Sequence, residues 1–177
     1  MSLDGFIAGP SHAMNWIFDF MAPDAFPEIA AATGAMLIGR RTYEVGNRMA
    51  EERGSATSGD TYPFSGPVFV LTHEPPERPD PEVTFLSGDI GEAVATALDA
   101  AGERNLEILG ADVAGQCLRR GLVDEILVWV LPVLLGDGVP FSASGIGRID
   151  LEPLSSTRAG AVTALRFRVR NESRRSW

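Results

Sequence analysis

Short apolar runs, separated by polar and glycine-rich stretches, recur along the first three-quarters of the chain. They are "AMLIG" at 35–39, "PVFVLT" at 67–72, "VTFL" at 83–86, "LEILG" at 106–110 and "EILVWVLPV" at 125–133. Most of them do not alternate between apolar and polar residues, and several are rich in β-branched residues. This pattern predicts strands that are buried on both faces of a sheet.

Helical periodicity lies between these runs. In "DIGEAVATALDAAG", Asp89 is placed to cap a helix with one apolar face, and Gly102 is placed to end it. Similar patterns predict a helix in 23–34 that stops at Gly34 and a short helix in 112–121 that ends at Gly121. Helices that alternate with strands predict an α/β domain with a largely parallel sheet.

The end of the chain has a different pattern. "ALRFRVR" at 164–170 places Leu165, Phe167 and Val169 on one face and three arginines on the other. Strict alternation predicts a half-exposed antiparallel strand at or near a sheet edge. We predict that the segments 50–66 and 72–82 are irregular and that the tail 171–177 is a flexible end to a single domain spanning 1–170.

Composition narrows the function classes. The chain has 177 residues, is 45% apolar and carries a net charge of −9, which disfavours nucleic acid as a partner. We expect no secretory signal, because no basic segment followed by an apolar stretch stands at the start, and no apolar run is long enough to span a membrane. The single cysteine, Cys117, rules out an internal disulfide and a zinc site built from several cysteines. We therefore expect a cytoplasmic protein without a metal, a membrane or a nucleic acid as partner.

Polar residues follow three of the predicted strands. Ligands of open α/β sheets bind beyond the carboxyl ends of strands, where helix N-termini and basic side chains suit a phosphate. The candidate residues are Gly39, Arg40, Arg41, Thr42, Thr72, His73, Gly110, Ala111 and Asp112. An ordinary helix start, a packing glycine and a surface histidine explain the same residues, and spacing alone favours those simpler explanations.

Two aspartates stand at a predicted turn and before a predicted helix. Asp4 precedes Gly5 in "MSLDGFIAG", and Asp24 precedes a predicted helix. The simpler explanations are a turn aspartate that bonds to its own backbone and a helix cap.

Several segments together resemble the dihydrofolate reductase superfamily. The closer resemblance is to the branch that contains the C-terminal reductase domain of the bacterial riboflavin-biosynthesis deaminase/reductase. The segments are "MSLDGFIAG", "LIGRRTYE", "PVFVLT", "ILGADVAGQCLRRGLVDEILVWVLPVLLGDG" and "LRFRV". The resemblance covers Ser2 to about Val169. It implies a three-layer α/β/α fold with a mixed, mostly parallel sheet of about eight strands, an antiparallel C-terminal strand and NADPH as cofactor.

The resemblance also implies roles for individual positions. Residues 39–42 would meet the pyrophosphate and the adenosine phosphate, Thr72 and His73 would lie near the 2′-phosphate, and 110–112 would form the turn under the pyrophosphate and the nicotinamide half. Ala8 would line the nicotinamide pocket, and Asp4 would lie near the site of hydride transfer. Ala111 departs from the glycine that is usual in relatives.

In relatives "SLDG" follows a central strand, for which this sequence leaves almost no residues. We expect that about eight residues precede Met1 in the complete protein, or that the chain starts earlier than written. We also expect a gap or an unusual edge in the sheet at that place.

Two functions of different classes remain open. One is an NADPH-dependent reductase of a small heteroaromatic substrate, similar to a dihydrofolate reductase or a 5-amino-6-(5-phosphoribosylamino)uracil reductase, with Asp4 or Asp24 as orienting or proton-relaying residue. The other is a nucleotide- or ligand-binding protein of the same fold without turnover. We expect a homodimer with "EILVWVLPV" and "LLGDG" near the contact.

Overall fold

The computed structural model describes residues 1–20, 27–52, 54, 64–77, 79–142 and 145–170. Their contacts divide the chain into two compact units. One contains Met1–Ala25 and Gly115–Trp177, and the other contains Phe26–Ala114.

The unit Phe26–Ala114 is built on a four-stranded parallel sheet. Its strands have the order β4-β3-β2-β5. The elements in chain order are α1 (Pro27–Ala32), β2 (Thr33–Gly39), α2 (Arg40–Glu52), β3 (Val68–Leu71), β4 (Val83–Leu86), α3 (Ile90–Ala101), β5 (Asn105–Leu109) and the start of α4 (Ala111–Arg119). Strands alternate with helices, as the periodicity predicts.

The core of this unit lies around β2. All residues from Thr33 to Ile38 are buried, and because successive residues of a strand point to opposite faces, both faces of the strand are covered. Helices α2 and α3 both pack against β2 and β3. The side chain of Asp89 caps α3 by accepting a hydrogen bond from the Gly91 N–H at 2.8 Å, and Gly102 follows the helix with φ +63°, so both predicted ends of α3 are confirmed.

Gly34 does not end a helix, contrary to the prediction. Helix α1 ends at Ala32 and the chain passes directly into β2. A Cβ atom on Gly34 would lie 2.2 Å from the carbonyl oxygen of Ala101. Glycine is required here because α3 closely approaches the strand, which a local sequence pattern does not reveal.

The unit that contains both chain ends is mainly antiparallel. β1 (Phe6–Ala8) pairs with β7 (Val139–Pro140), and a three-stranded sheet has the order β6-β9-β8. These strands are β6 (Glu125–Val130), β8 (Leu151–Ala159) and β9 (Val162–Val169). Two short 3₁₀ turns, Pro10–His12 and Asn15–Asp19, follow β1. The mixed parallel and antiparallel α/β fold is confirmed, with β9 antiparallel to both of its neighbours.

β9 has the predicted alternation but is the middle strand of its sheet. The edge strand is β8, which the sequence pattern does not predict because most of its residues are exposed. Its pairing with β9 shifts register between Pro153 and Ser155. A proline and an irregularity are usual in edge strands, since they discourage pairing with another chain.

The first residues run beside the end of β6. Ser2 forms an isolated parallel bridge with Leu131, and Leu3 donates a hydrogen bond to the carbonyl oxygen of Val133 at 2.8 Å. The described strands form sheets of four, three and two strands. Residues upstream of Met1 stay a prediction, as does the single domain over 1–170. The tail 171–177 lies outside the described residues. No helix in the described ranges is long and apolar enough to cross a membrane.

Candidate functional site

Three strands of the parallel sheet end side by side. In the sheet register Gly39 lies beside Leu71, and Ile38 lies beside Leu109. The residues that follow these strand ends therefore share one edge of the sheet, as the sequence predicts for parallel strands. We call Gly39–Thr42, Thr72–Glu74 and Gly110–Asp112 the strand-end site.

The first segment of the site passes from strand to helix without a loop. Helix α2 begins at Arg40, immediately after Gly39. Tyr43 packs against the core residues Met36, Ile38 and Val70, and its ring meets that of Phe85 edge-on at a centroid distance of 5.5 Å. Such an aromatic pair is worth about 1 kcal/mol beyond its burial. This packing fixes the first turn of α2, so its free N–H groups have a defined direction.

The third segment turns sharply at Gly110. Its φ is +98°, and a Cβ atom there would lie 2.5 Å from the hydroxyl oxygen of Thr42. Glycine thus allows the first turn of α2 to lie close to the turn into α4. Two helix N-termini beside each other, with two arginines at one of them, fit an anionic ligand such as a pyrophosphate.

Ala111 is compatible with its position. It is the first residue of α4 and does not belong to the described non-glycine residues with positive φ, which are Ser11 and His12. The departure from the usual glycine therefore causes no backbone strain. Asp112 follows in the first turn of the helix and is exposed.

The second segment is a tight turn held by Thr72. This threonine is 7% exposed, and its backbone N–H donates to the Leu86 carbonyl at 2.9 Å. Its hydroxyl donates to the Glu74 carbonyl at 3.1 Å and accepts from the Glu74 N–H at 3.2 Å. His73 lies between them and is exposed.

Arg40 joins the first and second segments. Its Nε contacts the carboxylate of Glu44 at 2.8 Å, and one terminal nitrogen lies 3.4 Å from the Glu74 carbonyl and 3.9 Å from the Glu74 carboxylate. Arg41 is more exposed, with its Nε 3.9 Å from Glu44. Neither Glu44 nor Glu74 is among the candidate residues that the sequence indicates. The i,i+4 spacing of Arg40 and Glu44 could have indicated one ion pair, whereas no local pattern indicates Glu74.

Asp4 belongs to the other unit, where its carboxylate binds backbone. It accepts hydrogen bonds from the Gly136 N–H at 2.7 Å and from the Leu135 N–H at 3.1 Å. We call this contact the Asp4–Gly136 junction. A hydrogen bond from the Ser2 side chain, and then the bond from Gly136, lower the pKa of Asp4. The two segments that are most specific for the resemblance, "SLDG" and "LLGDG", are therefore joined by one carboxylate.

Ala8, Asp24 and Cys117 are the residues from the sequence analysis that lie outside these two places. Ala8 is 7% exposed, and its carbonyl oxygen would lie 2.1 Å from a Cβ atom on Gly138. Asp24 lies outside the described residues. Burial raises the pKa of the Cys117 thiol to about 11, which makes it a poor nucleophile. In the described part of the chain, no three or more His, Cys, Asp and Glu residues are grouped so that they could hold a metal ion.

The chain matches a known protein family over most of its length. Residues 1–165 match the family described as the RibD C-terminal domain. The chain belongs to this family. Uncharacterized protein YwjB of Bacillus subtilis (strain 168) is 24% identical over 143 residues, which are 79% of this chain and 77% of that protein.

Solved structures share the fold over nearly the whole chain. The putative riboflavin biosynthesis protein from Shewanella sp. PV-4 has a TM-score of 0.78 and 24% identity, and the match covers 97% of this chain and 96% of that chain. The deaminase/5-amino-6-(5-phosphoribosylamino)uracil reductase of Thermotoga maritima has a TM-score of 0.67 and 17% identity over 96% of this chain and 54% of that one.

A more distant match is the dihydrofolate reductase of Enterococcus faecalis complexed with NADP(H). Its TM-score is 0.59 with 12% identity, and the match covers 97% of this chain and 93% of that chain. The resemblance to both groups, and to the riboflavin-pathway reductase domain in particular, is confirmed.

Proposed function

We propose that this chain is an NADPH-dependent reductase that transfers a hydride to a C=N or C=O bond of a small heteroaromatic substrate, similar to a pterin or a pyrimidine. Family membership supports a reductase of this general kind. The observation that carries the proposal is the shared edge at which β2, β3 and β5 end, with Arg40, Thr72 and Gly110 beside one another.

The described residues fit a dinucleotide in three respects. Two helix N-termini and two guanidinium groups suit the pyrophosphate and the adenosine phosphate. We place the 2′-phosphate beside Thr72, where the exposed His73 and the Arg40 guanidinium would face it. Gly110, where a Cβ atom would meet Thr42 at 2.5 Å, together with Ala111 and Asp112 would hold the turn below the pyrophosphate. NADPH would supply the hydride when bound, and the protein would orient the reactants and exclude water.

We assign Asp4 a positioning role. Its carboxylate holds Leu135 and Gly136 through their backbone N–H groups. Because its pKa is lowered, it stays ionised at neutral pH and cannot donate a proton. In line with the resemblance, we propose that Ala8 contacts the nicotinamide and that Asp24 is the remaining acidic candidate for orienting a ring nitrogen of the substrate.

The experiment is a pair of measurements on the same protein. NADPH oxidation is followed by absorbance with dihydrofolate, pterins and aminopyrimidines, including a 5-amino-6-ribosylaminouracil phosphate. Cofactor binding is followed by quenching of the three tryptophans. We expect saturable NADPH binding that Arg41→Gln and Thr72→Val weaken, and turnover with at least one aminopyrimidine or pterin. Failure to bind NADPH would exclude the reductase.

A ligand-binding protein without turnover is the second candidate, and one observation favours it. The acidic residue of the "SLDG" segment is engaged with Leu135 and Gly136, so it is not available as a proton donor. Thermal protection by NADPH with no turnover on any substrate of the set would support this candidate.

We also propose a cytoplasmic homodimer. Leu127 on β6 is 37% exposed and is suited to a subunit contact near "EILVWVLPV". The single buried thiol of Cys117 fits a reducing compartment. A solution mass of one subunit, measured by light scattering, would reject the dimer.

A further inference from the structure

Both arginines of the strand-end site already lie near glutamate carboxylates. Glu44 contacts Arg40 at 2.8 Å and lies 3.9 Å from Arg41, and Glu74 lies 3.9 Å from Arg40. Two guanidinium groups therefore face two carboxylates, and their formal charges sum to zero. The two arginines of "GRRTYE" are therefore balanced by the charges of two glutamates once the chain is folded.

The fold holds the backbone of Glu74 in place. Its N–H and its carbonyl are both bonded to the buried Thr72 hydroxyl, and its carbonyl also lies 3.4 Å from Arg40. The backbone of Glu74 is thereby held at the end of β3. One oxygen of its carboxylate lies 3.9 Å from a terminal nitrogen of Arg40, whose guanidinium would bind the phosphate of a ligand.

Such a carboxylate treats two dinucleotides differently. A phosphate monoester carries nearly two negative charges at neutral pH, so a 2′-phosphate bound at Thr72 and Arg40 is repelled by Glu74 and competes with it for Arg40. A ribose with a free 2′-hydroxyl carries no charge and can donate a hydrogen bond to a carboxylate. An acidic residue near the ribose is the usual means by which dinucleotide-binding sheets accept the cofactor without the phosphate.

We propose that Glu74 is a specificity-determining residue that lowers the preference of this chain for NADPH over NADH. The inference rests on the proposed function and deepens it, because it concerns the choice of cofactor at the strand-end site. Glu44 has a different role, since it lies near both arginines on their own helix.

The test compares the dissociation constants of NADPH and NADH for the wild type, Glu74→Gln and a matched control. The control is Glu77→Gln, which removes one negative charge from the same exposed segment without touching Arg40. Because the side chain of Glu74 is 87% exposed, its replacement leaves the fold intact, which a thermal melt verifies. Binding is measured by tryptophan quenching at low ionic strength, so the readout does not depend on turnover.

We expect Glu74→Gln to tighten NADPH binding about three- to tenfold, the range for one charge acting on a phosphate through water. We expect NADH binding to change by less than about twofold, or to weaken. The effect should shrink when the ionic strength is raised to about 0.5 M, where the screening length is only about 4 Å. In an Arg40→Gln background the effect should change in size, because part of it acts through that guanidinium.

The outcomes separate the two proposals. If the wild type binds neither dinucleotide, the proposed function is wrong and this inference falls with it. If both dinucleotides bind but Glu74→Gln leaves the ratio of their dissociation constants unchanged, only the role of Glu74 is wrong. A ratio that Glu77→Gln changes as much as Glu74→Gln also overturns that role, because the effect would then be one of net charge.

Discussion

The strand-end site and the Asp4–Gly136 junction use charged groups in opposite ways. In the strand-end site the ion pairs of Arg40 are between long side chains that are about half exposed or more, and such pairs contribute about 0–1 kcal/mol. At the junction a short carboxylate accepts hydrogen bonds from two backbone N–H groups of a distant loop. In the strand-end site a ligand can replace the glutamates as partner of Arg40. At the junction the Asp4 carboxylate holds the backbone of Leu135 and Gly136.

This difference shows that the type of a residue does not by itself reveal the role of its side chain. Asp4 is the most suggestive acid in the sequence, yet its surroundings give it a lowered pKa and a structural partner. Glu74 attracts no attention in a proline-rich stretch, yet it lies beside the guanidinium of a candidate phosphate site. Four substitutions test this contrast.

Gly138→Ala should have the largest effect. A Cβ atom would lie 2.1 Å from the Ala8 carbonyl oxygen, and φ is +143°, so both the backbone conformation and the space are unsuitable. We expect a loss of about 3 kcal/mol or more in the free energy of unfolding, measured by urea denaturation.

Gly136→Ala is the matched control for that change. Gly136 also has a positive φ, +74°, but open space lies where its Cβ would be, and the N–H that Asp4 binds is retained. We expect a cost of about 1–2 kcal/mol from the backbone alone. Equal costs for the two variants would show that the close approach of β1 and the 138 turn is not rigid.

Gly110→Ala should follow in size. Its φ of +98° costs about 1–2 kcal/mol, and the Cβ would lie 2.5 Å from the Thr42 hydroxyl oxygen. We expect a total loss of about 2 kcal/mol in unfolding free energy and weaker NADPH binding. In a Thr42→Ala background the same change should cost less, because the steric part is gone. An equal cost in both backgrounds would contradict the close approach.

Asp4→Asn should produce an effect that depends on pH. The folded-state pKa of Asp4 lies below its ordinary value, so the stabilisation is complete above the unfolded pKa and is lost as the pH falls through the folded pKa. We expect the wild type to be more stable than Asp4→Asn by a constant amount from about pH 5 to 8, and this difference to shrink below about pH 4.

The comparison is made by urea denaturation across that pH range. Asp137→Asn is the control, because within the described ranges the Asp137 carboxylate accepts only from the neighbouring Gly138 N–H. A stability difference for Asp4→Asn that does not change with pH would mean that the lowered pKa is absent.

Glu44→Gln should have the smallest effect on stability. It removes two exposed contacts with Arg40 and Arg41, for which we expect a change of about 0.5 kcal/mol or less. The same change should tighten NADPH binding, because both guanidinium groups lose a competing carboxylate. A large loss of stability would show that the strand-end site is structural, as the Asp4–Gly136 junction is.

The sequence by itself determined the elements whose cause is local. The apolar runs predict β2, β3, β4 and β5 within about two residues, since buried strands have few polar residues, and Asp89 and Gly102 mark both ends of α3. Quoted motifs also predict the family, which residues 1–165 match. Parallel strands with polar residues at their ends further predict that residues near 39, 72 and 110 share an edge.

Only the tertiary structure decided what depends on residues far apart in the chain. Gly34 is a strand residue against Ala101, β8 is the edge strand of its sheet, Asp4 binds residues 131 and 132 positions away, and Glu74 meets Arg40 across 34 positions. Close approaches and charge pairs arise when separate elements pack, and a pattern that repeats every two or four residues has no information about them. The chemistry of the candidate site is therefore set by such long-range neighbours.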